Sequence, residues 1–420
     1  MNDIDRPATG IPAADVPVAD LPVVGVPAGD IRATGTPSED IQARSTADRA
    51  ARAALSAVVE PANRKVVARV YATGAEATWR AISRRDPHLD TDGVLARRAE
   101  GVDGAALLQH AAGLGIRFVC PSDAEWPAGF ATMPDTLDAG TDSVPPPFGL
   151  WVRGNGSLAA CEPRAIAVVG SRAASPYGRH VAGDIAADLA ARGWIVVSGA
   201  AYGIDAAAHR GCLAMGGVTV AVLACGLDMD YPRSHSELLA RIAQDGVVVS
   251  ELAPGMQPMR SRFIARNRLI AALTSGTVVV EAARRSGALS TAHWAVKLGR
   301  EVMAVPGPVT SEQSSGCHEW IRNRGAVLVT DADEVADTAG RLGPDAAPLA
   351  VGEERPLDRY SPDVRHVYER MPARAVTTVP DLARESGYPP PFVEQSLREL
   401  AAGGLVLAVL DGWVRVPGAA

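Results

Sequence analysis

At 420 residues, 47% hydrophobic and 21% charged, the chain has the size and composition of a folded protein of two or three units. It holds no run of about eighteen apolar residues, which excludes a helical membrane span. Its five cysteines (Cys120, Cys161, Cys212, Cys225, Cys317) form no CxxC pair, which argues against a zinc site or a disulfide framework and fits a reducing cytoplasm. The formal charge of −7 neither supports nor excludes nucleic acid. Seven acids against three arginines in residues 1–45 account for −4 of it, so what matters is a local basic surface.

The start, MNDIDRPATG, lacks the basic flank and apolar core of a signal peptide. Residues 1–45 repeat a loose Pro/Val/Asp/Gly theme without helical or strand periodicity and read as a disordered tail. Residues 46–118 carry Ala, Leu and Val at helical spacing (ARAALSAVV, RKVVARVYATG, GAALLQHAAGLG) and read as a small helical domain. A Pro-rich passage, PDTLDAGTDSVPPPFGLWVRG, is expected to link into a short edge strand.

From Ile166 short apolar runs alternate with amphipathic helical stretches: IAVV, WIVV, VTVAVL, VVV, TVVVE, EVMAV and AVLV, each bounded by Gly, Ser or Pro. Buried strands spaced by one helix each are βαβ units, so residues 119–340 are expected to form an α/β, Rossmann-like parallel sheet with helices on both faces. Residues 341–356 read as a linker. Residues 357–420 read as three helices and two short strands, a winged helix-turn-helix.

In such a sheet ligands bind beyond the carboxyl ends of the strands. After IAVV comes Gly170-Ser171-Arg172, then Pro176 opening a helix, a turn able to present backbone N–H groups and one cation to a phosphate. After WIVV, Gly199 and Gly203 flank Tyr202 and let backbone approach a ligand, while Asp205 could cap the next helix or orient an arginine. Cys225 reads as a small residue at the core edge, with no base partner for a nucleophile. Ser286-Gly287 opens another helix. No GxxxxGK[ST] or complete GxGxxG is present, and His209, His235, His293 and His318 share no metal spacing.

The stretch Gln257–Arg268 is the most informative. Arg260, Arg262, Arg266 and Arg268 surround Phe263 with no acid between them, offering charge for a nucleic-acid backbone and a π-face for a base. The alternative is that Arg266 and Arg268 pair with Glu251 or Glu281 at the strand ends, where buried carboxylates need partners.

The ordered motifs GSR (170–172), SGAAYGIDAAAH (198–209), GLDMDYP (226–232), SELAPGMQP (250–258), RFIARNR (262–268), VVVEA (278–282), SGAL (286–289), GREVMAVPG (299–307) and GCHEWIRNRGAVLV (316–329) closely resemble the bacterial DNA-processing A (DprA/Smf) family over about 165 residues. The helical 46–115 region is similar to that family's SAM-like or helix-hairpin-helix front. The resemblance implies a cytoplasmic, non-enzymatic protein that binds single-stranded DNA, loads the RecA recombinase onto it in natural transformation, and dimerises through the Rossmann-like domain, with no cofactor. It implies DNA contacts by Arg172, Arg260 and Phe263. Where many members have a further cation before GID, this chain has Tyr202, able to stack on a base but not to neutralise a phosphate. Arg262 and Ile264 replace the His and Pro often found beside the Phe. The expected DNA surface is Gly170, Ser171, Arg172, Gly199, Tyr202, Gly203, Arg260, Arg262, Phe263, Arg266, Asn267, Arg268, Ser286 and Gly287, with no catalytic or metal-binding residue.

Two other readings have a foothold. Ser275-Gly276-Thr277 with Glu281 faintly echoes the strand end of Rossmann-like nucleotide hydrolases of the phosphoribohydrolase kind. The C-terminal unit alone suggests a transcription factor, but its recognition helix, PFVEQSLRELAAGG, has Arg398 as its only basic residue.

Overall fold

The computed structural model describes residues 39–133, 143–161, 164–341, 343–347 and 355–417. The tail expected over residues 1–45 lies outside the described residues as far as residue 38. Helix α1 (Glu39–Val58) starts inside the stretch assigned to that tail. From Ser38 to Glu60 the sequence has no Gly or Pro to interrupt a helix. With α2 (Arg64–Thr73), α3 (Ala75–Ser83), α4 (Val94–Ala99) and α5 (Gly104–Gly113) it forms a helical unit. Leu55, Val58, Val66, Val67, Val70 and Ile82 make its core.

The next unit is a nine-stranded sheet. Strands β1 (Ile116–Val119) and β2 (Leu150–Arg153) precede β3 (Ala165–Val169), β4 (Ile195–Ser198), β5 (Thr219–Leu223), β6 (Val247–Ser250), β7 (Gly276–Val279), β8 (Glu301–Ala304) and β9 (Val327–Leu328). Their spatial order is β1-β2-β6-β5-β4-β3-β7-β8-β9. Each of the seven apolar runs became a strand of the parallel portion, β3 to β9. Two antiparallel strands extend it: β2 on β6, and β1 on β2. The strand expected at the edge, LWVR, is therefore internal. β1 also runs through the boundary expected at residue 118, because Ile116 and Phe118 bury against Trp151 and Leu223 instead of the helical unit's centre.

Between the strands run α6 (Pro176–Ala191), α7 (Ile204–Ala214), α8 (Ser236–Asp245), α9 (Arg260–Ala272), α10 (Leu289–Lys297) and α11 (Ser315–Asn323), and α12 (Ala332–Ala339) follows β9. Successive residues of a strand point to opposite faces. Ala165, Ala167 and Val169 of β3 join a core with α9, α10 and α11. Ile166 and Val168 join a second core with α6, α7 and α12 on the other face. Burial on both sides is why these runs are continuously apolar.

The chain leaves β3 to one side for β4, β5 and β6, and then returns through α9 to β7 on the other side of β3. That reversal opens a crevice at the carboxyl ends of β3 and β7. Of the stretch expected as a linker, Asp345 is instead buried against this unit, where Arg164 and the Arg341 amide donate to it. The last unit comprises α13 (Pro362–Arg370), α14 (Val379–Ser386) and α15 (Pro390–Ala402), then an antiparallel ribbon of β10 (Val406–Val409) and β11 (Gly412–Arg415).

Candidate nucleic-acid interface

A cavity of about 810 Å³ occupies the crevice at the strand reversal. Its floor is the turn Gly170-Ser171-Arg172 after β3. One wall is the start of α9, with Pro258, Met259, Arg260 and Phe263, and the opposite wall is Arg285 to Ala288 before α10.

The β3 turn does not serve as expected. The Ser171 amide donates to the Glu281 carbonyl at 2.7 Å, so it is not available to a phosphate. Glu281 takes the N-terminus of α6: its carboxylate accepts from the Ser175 amide at 2.9 Å and from the Ser175 hydroxyl at 2.5 Å. An internal anion thus fills the place where a helix N-terminus would bind an external one. Glu281 is buried, is absent from the cavity lining, and pairs with neither Arg266 nor Arg268, which corrects one alternative weighed from the sequence. Glu281 is thereby not poised for nucleotide hydrolysis. Gly203, at φ +80°, sits so close that a Cβ there would collide with the Ser171 carbonyl, which the Ile204 amide also contacts.

The start of α9 has the property sought at the turn. Met259 begins the helix without a side-chain cap, and Met259, Arg260 and Phe263 line the cavity, which places the positive dipole end of α9 at its wall. Sequence reasoning, which followed the strand ends, missed this. It also missed Arg285, although the tandem Arg284-Arg285 just before Ser286 was visible. Arg284 lies 3.8 Å from Glu319, while Arg285 faces the cavity.

Three exposed arginines, Arg172, Arg260 and Arg285, therefore border the cavity, and none forms an ion pair among the described residues. The Arg172 guanidinium lies 4.9 Å from the centre of the Phe263 ring, and the Tyr231 ring packs against Phe263 with centroids 5.5 Å apart. Among the described residues, Asp205 is the only carboxylate in the lining. It is buried, and burial raises its pKa despite the pull of Arg266, which weakens its repulsion of an anion. Asp205 accepts from the Ala201 amide instead of capping its own helix.

The remaining arginines of α9 are not exposed cations. Arg268 is wholly buried, donating twice to Glu251 (2.8 and 2.7 Å) and to the Pro145 carbonyl. This is the structural pairing weighed from the sequence. Arg266 reaches the cavity wall but donates to the carbonyls of Gly199 and Val222 and to Asn267. A Cβ on Gly199 would strike its guanidinium. Burial brings the Arg266 pKa down to about 10. Arg262 points away from the cavity and donates to Glu60 of the helical unit. These three are corrections to the expected set of backbone-neutralising groups: desolvated guanidiniums must be paired, and nearby carbonyls and carboxylates claim them. Asn267 lines the cavity and donates to Ser290 and Gly287, fixing the start of α10 against α9.

Tyr202 and Gly199 border a smaller adjoining pocket, which Arg172, Tyr231 and Phe263 share with the large cavity. The Tyr202 ring is half exposed and its hydroxyl lies 2.8 Å from Ser234. Cys225 is buried with its thiol pushed up to about 12 by that burial, as a packing residue requires. Among the described residues no group of His, Cys, Asp and Glu could hold a metal, and no helix is long and apolar enough to cross a membrane.

Residues 117–340, which contain the whole cavity, match the family described as DNA recombination-mediator protein A. The chain belongs to this family. It is 50% identical over 298 residues to the DNA processing protein DprA of Mycobacterium tuberculosis, covering 69% of this chain and 75% of that protein. Protein Smf of Escherichia coli is 39% identical over 307 residues, 70% of this chain and 76% of its own length. The X-ray structure of DprA from Streptococcus pneumoniae superposes with a TM-score of 0.56 at 31% identity, covering 69% of this chain and 96% of that one. The DprA/Smf resemblance and the α/β architecture read from the sequence are thus both met. The role that follows is DNA processing as a recombination mediator, not catalysis.

Proposed function

We propose that the protein binds single-stranded DNA in the cavity at the start of α9, protects it, and loads RecA onto it in recombination and natural transformation. The observation that carries this reading is the group formed by Arg172, Arg260 and Arg285 around Phe263, with an uncapped helix N-terminus between them. Phosphates take the arginines and the α9 amides, while Phe263, Tyr231 and Tyr202 offer ring faces to bases. Every base has a π-face, so binding is sequence-tolerant, and release of counterions makes it salt-sensitive.

Partner and location extend the same reading. The absence of a membrane-spanning helix among the described residues fits a cytoplasmic protein. A homodimer through the Rossmann-like unit fits its last strand, β9, where Val327 and Leu328 are exposed on an edge. We read the C-terminal unit as a winged helix serving as an appendage, since Arg398 of its recognition helix already pairs with Glu394.

Binding of labelled oligo-dT and of duplex DNA of equal length across a salt series tests the proposal. A tight, salt-dependent preference for the single strand is expected, lost in Arg172→Ala and Phe263→Ala. Equal binding of oligo-dT by parent and variants would remove the site. Failure to bind either DNA, with turnover of nucleoside monophosphates, would favour a hydrolase.

A further inference from the structure

An ion pair joins the helical unit to the DNA-facing helix. Arg262 donates from Nε and Nη2 to the two carboxylate oxygens of Glu60, at 2.9 and 2.8 Å, across 202 residues of sequence. Its third donor, Nη1, holds the Gln257 carbonyl at 2.5 Å. Arg262 therefore ties together Glu60, the loop that carries Pro258 and Met259, and the first turn of α9. It directly precedes Phe263, and only Ser261 separates it from Arg260. Arg262 is buried, and Arg98 approaches Glu60 from its own unit at 3.2 Å. The two guanidiniums hold the Glu60 carboxyl below its usual range, Arg262 contributing most.

Glu60 is itself firmly placed. Along α1, Arg49 donates to the Phe118 carbonyl and Asp123, Arg52 donates to the Phe148 carbonyl, and Ser56 accepts from the Trp151 indole. Arg49, Arg52 and Ser56 follow the three-and-four spacing of one helix face, the face that docks α1 on the sheet, and Glu60 follows two residues past the end of that helix.

We propose that Glu60 is a positioning residue for DNA binding: through Arg262 it sets the loop before α9 and the first turn that presents Arg260 and Phe263 to the strand. The inference rests on the binding function proposed above. The sign of the effect separates it from plain electrostatics. Removing a carboxylate beside a site for a polyanion should tighten binding if Glu60 acts only by its charge, and it would free Arg262 to meet a phosphate. A positioning role requires the opposite.

The test compares Glu60→Gln, Arg262→Gln and the double variant in the full chain, by oligo-dT affinity across salt and by amide hydrogen exchange of residues 257–263, with thermal melting as a check on folding. Glu60→Gln is expected to weaken oligo-dT binding roughly threefold to tenfold, the scale of one lost directional contact. The salt slope should not change, because no phosphate contact is removed. Amides 257–263 should exchange faster, and in the Arg262→Gln background the Glu60 substitution should add nothing. Glu60→Asp, which keeps the charge, should recover part of the affinity. Unchanged or tighter binding by Glu60→Gln, unchanged exchange, or additive effects would overturn the inference while leaving the proposed function standing. A parent protein without preference for the single strand would overturn both.

Discussion

Arg260 and Arg268 stand eight residues apart on α9 and share a side chain, yet the structure uses them in opposite ways. Arg260 is exposed at the mouth of the cavity without an ion pair among the described residues. Arg268 has no exposed surface and spends its donors on Glu251 and the Pro145 and Ala265 carbonyls. Arg262 and Arg266 belong with Arg268. The difference shows that an arginine-rich helix is not in itself a nucleic-acid surface. A guanidinium that has lost its water is held by protein acceptors, and only one that keeps its water is available to a phosphate.

The comparison is broken most directly at Arg268. Arg268→Ala leaves the Glu251 carboxylate buried and unpaired, and about 3–5 kcal/mol of stability should be lost, read from denaturant unfolding. If Arg268→Ala melts like the parent but loses DNA affinity, the division between the two groups fails. Phe263→Ala should do the reverse, weakening oligo-dT binding by about 1–3 kcal/mol as a stacking face is removed, with little change in unfolding.

The buried side also has a pH signature. The Thr219 hydroxyl donates to the Val196 carbonyl, so the His209 Nδ1, 2.7 Å away, carries its own proton and donates to Thr219. The Nε2 atom is left unpartnered, and burial above all holds the pKa down to about 3. Its folded value lies below its unfolded one, so the neutral form's contribution is full above about pH 6.5 and is lost as pH falls from there toward 3. Stability should fall by up to about 1.4 kcal/mol per pH unit in that window, and His209→Gln should flatten this slope. An unchanged slope in His209→Gln would assign the acid sensitivity to other groups. The smallest expected effect sharpens the exposed side. Arg260→Ala and Arg285→Ala should each reduce the salt slope of oligo-dT binding by about 0.7, with melting unaltered. Were Arg262→Ala to lower the slope by as much, Arg262 would belong with the exposed group.

Much of the scaffold was legible in the chain. Seven apolar runs bounded by small residues became seven parallel strands; β3 to β7 are buried throughout because both their faces are covered, while β9 at the edge exposes Val327 and Leu328. The antiparallel pair β1 and β2 was less visible, since IRFV and LWVR are short and flanked by helical and Pro-rich sequence. Of the site, Arg172, Arg260 and Phe263 stand at the cavity as the sequence suggested. Arg285, beside Ser286-Gly287, and the uncapped start of α9 were overlooked, because which arginines stay exposed and which helix ends lack a cap depend on tertiary contacts.

By itself the sequence determined the succession of strands and helices along the chain and the motifs that mark the family, both of which depend on local pattern and chain order. Tertiary structure alone decided which charges are free. Glu281 was claimed by Ser175 and Arg262 by Glu60, partners 106 and 202 residues away. Whether a charged side chain is a ligand for DNA or a strut of the fold depends on its desolvation and on what surrounds it, and both arise only when distant segments meet.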